Sequence, residues 1–154
     1  MILISHRGNI NGRIEEAENR PDYIEDTIKL GYDVEIDVWV IEGTFHLGHD
    51  EPQYPISLNW LYERKDKLWI HCKNIESVVY FSECGYDFNY FWHQEDDYTL
   101  TSGNYIWTYP GKELTRNSIA VQPEARLDWW QWTKQCKNIA GVCTKHVYQF
   151  LDEN

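Results

Sequence analysis

A chain of 154 residues suits one domain and leaves little room for a second. Its net charge of −11 argues against nucleic-acid binding, which needs clustered Lys and Arg against the phosphates. It leaves room for a small phosphorylated substrate whose charge a metal ion offsets. With 42% hydrophobic residues the chain can bury a core. No run is long enough for a membrane span, and Met1-Ile2-Leu3-Ile4 reaches His6-Arg7 too soon for a signal peptide. Cys72, Cys84, Cys136 and Cys143 form no Cys-x-x-Cys pair, so they read as reduced thiols of a cytoplasmic protein. The eight Trp and eleven Tyr read first as core filling, and Trp92 and Trp107 are expected to pack rather than to hold a substrate.

In chain order, the apolar run Ile2 to Ser5 is a buried strand that delivers His6-Arg7-Gly8 at its end. Pro21 to Leu30 is a helix, with Pro at its start and Gly31 as the C-cap. Val34 to Val40 alternates strictly and is the second strand, with a turn at Glu42-Gly43. Ile56 to Lys67 is a helix, Leu68 to Lys73 a third strand, and Ile75 to Cys84 a helix stopped by Gly85. This alternation implies a parallel sheet. The pattern then changes. Phe88 to Trp92, Tyr98 to Thr101, Tyr105 to Tyr109 and Ser118 to Val121 read as strands with no convincing helix between them. Leu127 to Lys137, with Trp129, Trp130 and Trp132, reads as a helix; Ile139 to Thr144 is a last strand and His146 to Leu151 a closing helical turn. The expected fold is α/β: one compact TIM-type (β/α) barrel over residues 1–154, with several helices missing. A second copy in a homodimer, or loops, would cover the bare wall.

Side chains alternate along a strand, so Glu35 and Asp37 share one face and Ile36 takes the other. Two adjacent buried carboxylates call for a cation, and oxygen ligands suit Mg²⁺, Mn²⁺ or Ca²⁺. On spacing alone they are equally a solvent-facing edge. On the third strand His71 and Lys73 share a face, and His49-Asp50 follows the second strand. The ends of three successive strands thus deliver ionisable groups, and in a parallel barrel those ends converge on the face that carries active sites. His93, with Gln94 and Asp96, and Glu124 follow later strand ends and are expected to line the same pocket.

The series His6-Arg7-Gly8, Glu18-Asn19, Gly31 to Val38 with Glu35 and Asp37, Glu42-Gly43 and His49-Asp50 resembles the glycerophosphodiester phosphodiesterase signature, in order, over the first third of the chain. Trp69-Ile70-His71-Cys72-Lys73 resembles that family's later strand ending in Glu-x-Lys, with His71 in place of the acid. The resemblance implies His6 and His49 as the catalytic acid–base pair. It implies Glu35 and Asp37 as metal ligands, with His71 as the third, and Arg7 and Lys73 as phosphate contacts. The substrate implied is a small glycerophosphodiester-like molecule, hydrolysed with one divalent cation. Mg²⁺ is expected first, with Mn²⁺, Ca²⁺ or Zn²⁺ as alternatives; an imidazole in the third position weakens the case for Ca²⁺. Two further outcomes fit the same residues: cyclisation by a substrate hydroxyl, and a non-catalytic degenerate barrel that binds a phosphorylated ligand.

Overall fold

The computed structural model describes residues 1–128, 131 and 134–153. In chain order its strands and helices are β1 (Ile2–His6), α1 (Pro21–Lys29), β2 (Asp33–Ile41), β3 (Thr44–Leu47), β4 (Tyr54–Ile56), α2 (Leu58–Arg64), β5 (Leu68–Cys72), α3 (Ile75–Glu83), β6 (Asn89–Trp92), β7 (Tyr98–Leu100), β8 (Ile106–Thr108), β9 (Ser118–Val121) and β10 (Gly141–Thr144). The three helices start where local chemistry starts them. Pro21 opens α1, the Ser57 hydroxyl accepts from Trp60 N at α2, and Asn74 with Ser77 forms a reciprocal capping box at α3. The Asn74 amide also bonds Val40 N and O, which ties the start of α3 to the end of β2.

The parallel run is β8-β9-β10-β1-β2-β5-β6. β7 lies antiparallel to β8, β3 folds back antiparallel on the far half of β2, and β4 pairs antiparallel with β3 at the edge. The sheet curls until its ends approach each other, where the Ser102 N–H donates to the Tyr90 carbonyl at 2.9 Å.

The expected TIM-type (β/α) barrel is not what forms. The molecule is a curled, mixed, ten-stranded sheet, a half-barrel, with three short helices among the described residues. The physical reason lies in the connections. Helices link strands up to β6; from Trp92 to β9 the links are loops and turns, and β7 inverts the strand direction. No alternating helical layer therefore surrounds the sheet. The helix expected over 127–137 has its Trp129, Trp130 and Trp132 outside the described residues. The β3–β4 hairpin was not expected; Glu42 and Gly43, both with positive φ, make the two-residue turn that starts it.

The two faces of the sheet carry different cores. Outward positions such as Val34, Ile36 and Ile70 pack under Ile24, Leu61 and Phe81 of the helices. Inward positions Ile4, Trp69, Phe91, Trp107, Ile119 and Cys143 fill the concave side. Two residues further along, the same inward rows of β1, β2 and β5 carry His6, Asp37 and His71, so an apolar floor lies beneath a polar mouth. No helix among the described residues is long and apolar enough to cross a membrane.

Candidate active site

The register fixes the cluster. His6 sits opposite Glu35, and Asp37 sits opposite His71. Glu35 and Asp37 are both buried, and three donor groups, one each from Glu35, Asp37 and His71, lie within 4.8 Å of one another. The solvent-facing alternative for these acids therefore falls away. His71 Nδ1 is 3.1 Å from Asp37 Oδ1 and 3.7 Å from Glu35 Oε1. Its other nitrogen, Nε2, lies 2.8 Å from the His93 carbonyl. A carbonyl only accepts, so Nε2 carries a proton, and Nδ1 is the edge left to face the carboxylates. That is the arrangement of a metal-ligating histidine, fixed through its far nitrogen.

Four further side chains complete the charge pattern. Arg7 Nε approaches Asp37 Oδ2 at 2.8 Å, and Arg7 Nη1 reaches Glu18 at 3.4 Å. Lys73 Nζ is 3.6 Å from Asp37 Oδ1. Asn19 brackets Asp37, donating to its carboxylate at 2.8 Å and accepting from its backbone N–H at 3.0 Å. Arg7 and Asn19 both hold left-handed backbone conformations, a local strain that this network maintains.

These contacts set the protonation states. Burial opposes charge on Asp37, but the His71 hydrogen bond and the Arg7 charge prevail and hold its carboxyl well below the usual range. Burial likewise opposes charge on His71, yet hydrogen bonds to Asp37 and Glu35 raise its imidazole to about 9. His6 moves the other way: burial, with Arg7 beside it, holds it well below the ordinary value, so it is neutral at neutral pH. His93 is also lowered, by burial and by the neighbouring His71.

The same residues suit a divalent cation. Glu35 Oε2 is buried without a hydrogen-bond partner, which is costly for a carboxylate oxygen unless a cation lies against it. A cation there would be held by Glu35, Asp37 and His71.

The cluster opens into a pocket of about 310 Å³. His6, Arg7, Glu35, His71 and Lys73 line it, as do His49, His93 and Gln94. Trp107, Tyr109 and Val121 contribute an apolar wall, so Trp107 both packs against Phe91 and faces the pocket. His49 Nδ1 lies 2.7 Å from Asp50. Its loop is tied down by Gly48 N to Asp37 O and by Trp39 Nε1 to Gly48 O. Glu124 is placed elsewhere: its Oε1 accepts from Thr144 Oγ1 and Lys145 N, fastening the end of β10. Gln122 was not anticipated. It lines the pocket, and its amide lies 3.1 Å from His6 Nε2.

Gly48 is the tight point of the His49 loop. A Cβ there would sit 2.0 Å from the Glu51 carbonyl oxygen, at a φ of +152°. Gly48→Ala is expected to cost about 1–3 kcal/mol of stability, because backbone must move to admit the methyl group. His49→Ala, at a half-exposed side chain, is expected to be near neutral. Thermal unfolding of the two variants checks the contrast.

Comparisons with family models, with curated proteins and with solved structures each gave no match to this chain.

Proposed function

We propose that this protein is a divalent-metal-dependent phosphodiesterase acting on a small phosphodiester. The observation that carries the reading is the buried Glu35–Asp37–His71 group at the mouth of a pocket that also holds His6, His49, Arg7 and Lys73. The partial sequence resemblance to glycerophosphodiester phosphodiesterases adds support and suggests a glycerol-like alcohol on the substrate.

A bound cation would supply positive charge against the non-bridging phosphoryl oxygens. Arg7 and Lys73, which both approach Asp37 and line the pocket, hold and orient the phosphodiester. His6, neutral because it is buried beside Arg7, takes the proton from the attacking oxygen. His49, oriented by Asp50 at Nδ1, has Nε2 as the edge that gives a proton to the leaving alcohol. The lowered His6 value supports it as the base in a pair that residue type alone leaves interchangeable.

Calorimetry with Mg²⁺, Mn²⁺, Ca²⁺ and Zn²⁺ tests the metal, and turnover of generic diesters with ³¹P NMR of the products tests the reaction. One site per chain is expected, lost in Glu35→Gln, with a monoester as the product. No metal site, or no metal-dependent turnover, overturns the reading; a cyclic phosphate product would replace hydrolysis by cyclisation.

A further inference from the structure

The His6 ring has a single hydrogen-bond partner among the described residues, the Gln122 side chain, whose Nε2 lies 3.1 Å from His6 Nε2. Nδ1 of the same ring is buried and unpartnered, and Glu35 Oε2 stands off at 3.8 Å. In most acid–base histidines a carboxylate or carbonyl on the far nitrogen chooses the tautomer. Here that far nitrogen has no such partner.

Gln122 is held in an unusual way for this contact. It follows β9 with φ 40° and ψ 54°, a left-handed conformation uncommon for a residue with a side chain and followed here by Pro123. Its N–H donates to the Cys143 carbonyl at 2.7 Å, and its own carbonyl accepts from Ala125 N at 2.9 Å. Strain of this kind persists only where surrounding bonds over-determine it, and it accumulates at functional sites. Its effect is to aim the amide across the mouth of the sheet, from β9 to β1.

We infer that Gln122 is a positioning residue: its amide N–H donates to His6 Nε2, which confines the ring proton to Nδ1 and leaves the Nε2 lone pair facing the pocket. A substrate oxygen then displaces the amide and finds an unprotonated nitrogen already oriented to receive its proton. The catalytic consequence rests on the phosphodiesterase reading; the tautomer does not.

The test separates the two. ¹⁵N NMR of imidazole-labelled protein at neutral pH, with the His6 signals assigned by their loss in His6→Asn, is expected to show Nδ1 protonated and Nε2 unprotonated. Gln122→Gly removes the amide and relieves the left-handed strain, so it is expected to keep or raise the unfolding temperature while His6 becomes a mixture of tautomers. With a turned-over diester, its kcat is expected to fall about tenfold with KM within about twofold, a modest part of the range for acid–base groups. Gln122→Glu, which can only accept, is expected to move the proton to Nε2. A wild-type ring protonated at Nε2, or a tautomer unchanged in Gln122→Gly, overturns the inference. The spectra decide this even if no diester is turned over, an outcome that would instead remove the phosphodiesterase reading.

Discussion

His6→Ala and His49→Ala are each expected to lower kcat on a turned-over phosphodiester by about 10²–10⁴-fold, the usual contribution of a general acid or base. Metal affinity should change little, because neither ring is among the three groups nearest the cation position. The two variants should differ in pH dependence. In the wild type, activity is lost as pH falls through the depressed His6 value, because the proton that His6 must accept is then already present. This acid limb lies below the ordinary imidazole range and is absent in His6→Ala, whereas His49→Ala keeps it. Steady-state kinetics across pH at saturating metal provide the measurement. Full activity in either variant removes that ring from the mechanism.

The part of this site that could be read in the sequence is the part that lies on strands. Glu35 and Asp37 share a face because a strand repeats every two residues, and the pairing of Asp37 with His71 follows once β2 and β5 are neighbours. β1, β2 and β5 were legible because each is a continuous apolar or alternating run. The first three helices carried Pro, Ser or Asn at their starts and Gly beyond two of their ends. The hairpin was less legible. β3 and β4 span four and three residues, and Pro55 within β4 argues against a strand unless it lies at an edge, as this one does.

The barrel expectation went wrong for an identifiable reason. It extended the helix-bearing first half to a second half whose sequence shows no helical period between Phe88 and Val121. The parallel pair β8 and β9 is instead joined by a loop, and β7 runs against its neighbour. The late site residues suffered similarly. Glu124 follows a strand end, but the 3₁₀ turn Pro123–Ala125 delivers its carboxylate to β10. Gln122 reaches His6 only through a left-handed backbone that no local residue preference announces. His93 does line the pocket, yet the atom that fixes His71 is its backbone carbonyl, which side-chain chemistry does not reveal.

Asp37→Asn is expected to destabilise the protein by about 3–5 kcal/mol, the range for removing one partner of a buried charge network. The amide keeps the shape but leaves Arg7, Lys73 and protonated His71 facing a neutral group. For a chain of this size that lowers the unfolding temperature by about 10 °C. Glu35→Gln should cost less, since the charged group near it is His71 at 3.7 Å, while the neutral His6 lies 3.8 Å away. Under the proposed metal reading, both variants should lose the stabilisation that a bound divalent ion would give the wild type, about 2.7 kcal/mol at an ion concentration of 100 times Kd. The contrast separates Asp37's role in the metal-free fold from the role proposed for both acids toward a cation.

The pH dependence of the metal-free protein has a definite sign. The folded His71 value of about 9 exceeds the ordinary 6.5, so its contribution is fully present below about pH 6.5 and is lost as pH rises through about 9. Asp37 is depressed from 3.8, so its contribution is present above that value and is lost as pH falls through the depressed one. His6, also depressed, adds a loss that begins as pH falls below 6.5. In Asp37→Asn the alkaline loss should shrink, because His71 no longer has the carboxylate that raised it. A divalent ion competes with the proton on His71 Nδ1, so binding below about pH 9 should release close to one proton per ion and tighten as pH rises. Calorimetry in buffers of different ionisation enthalpy counts that proton. Release near zero would mean that His71 is not a ligand and that the two carboxylates hold the ion without it.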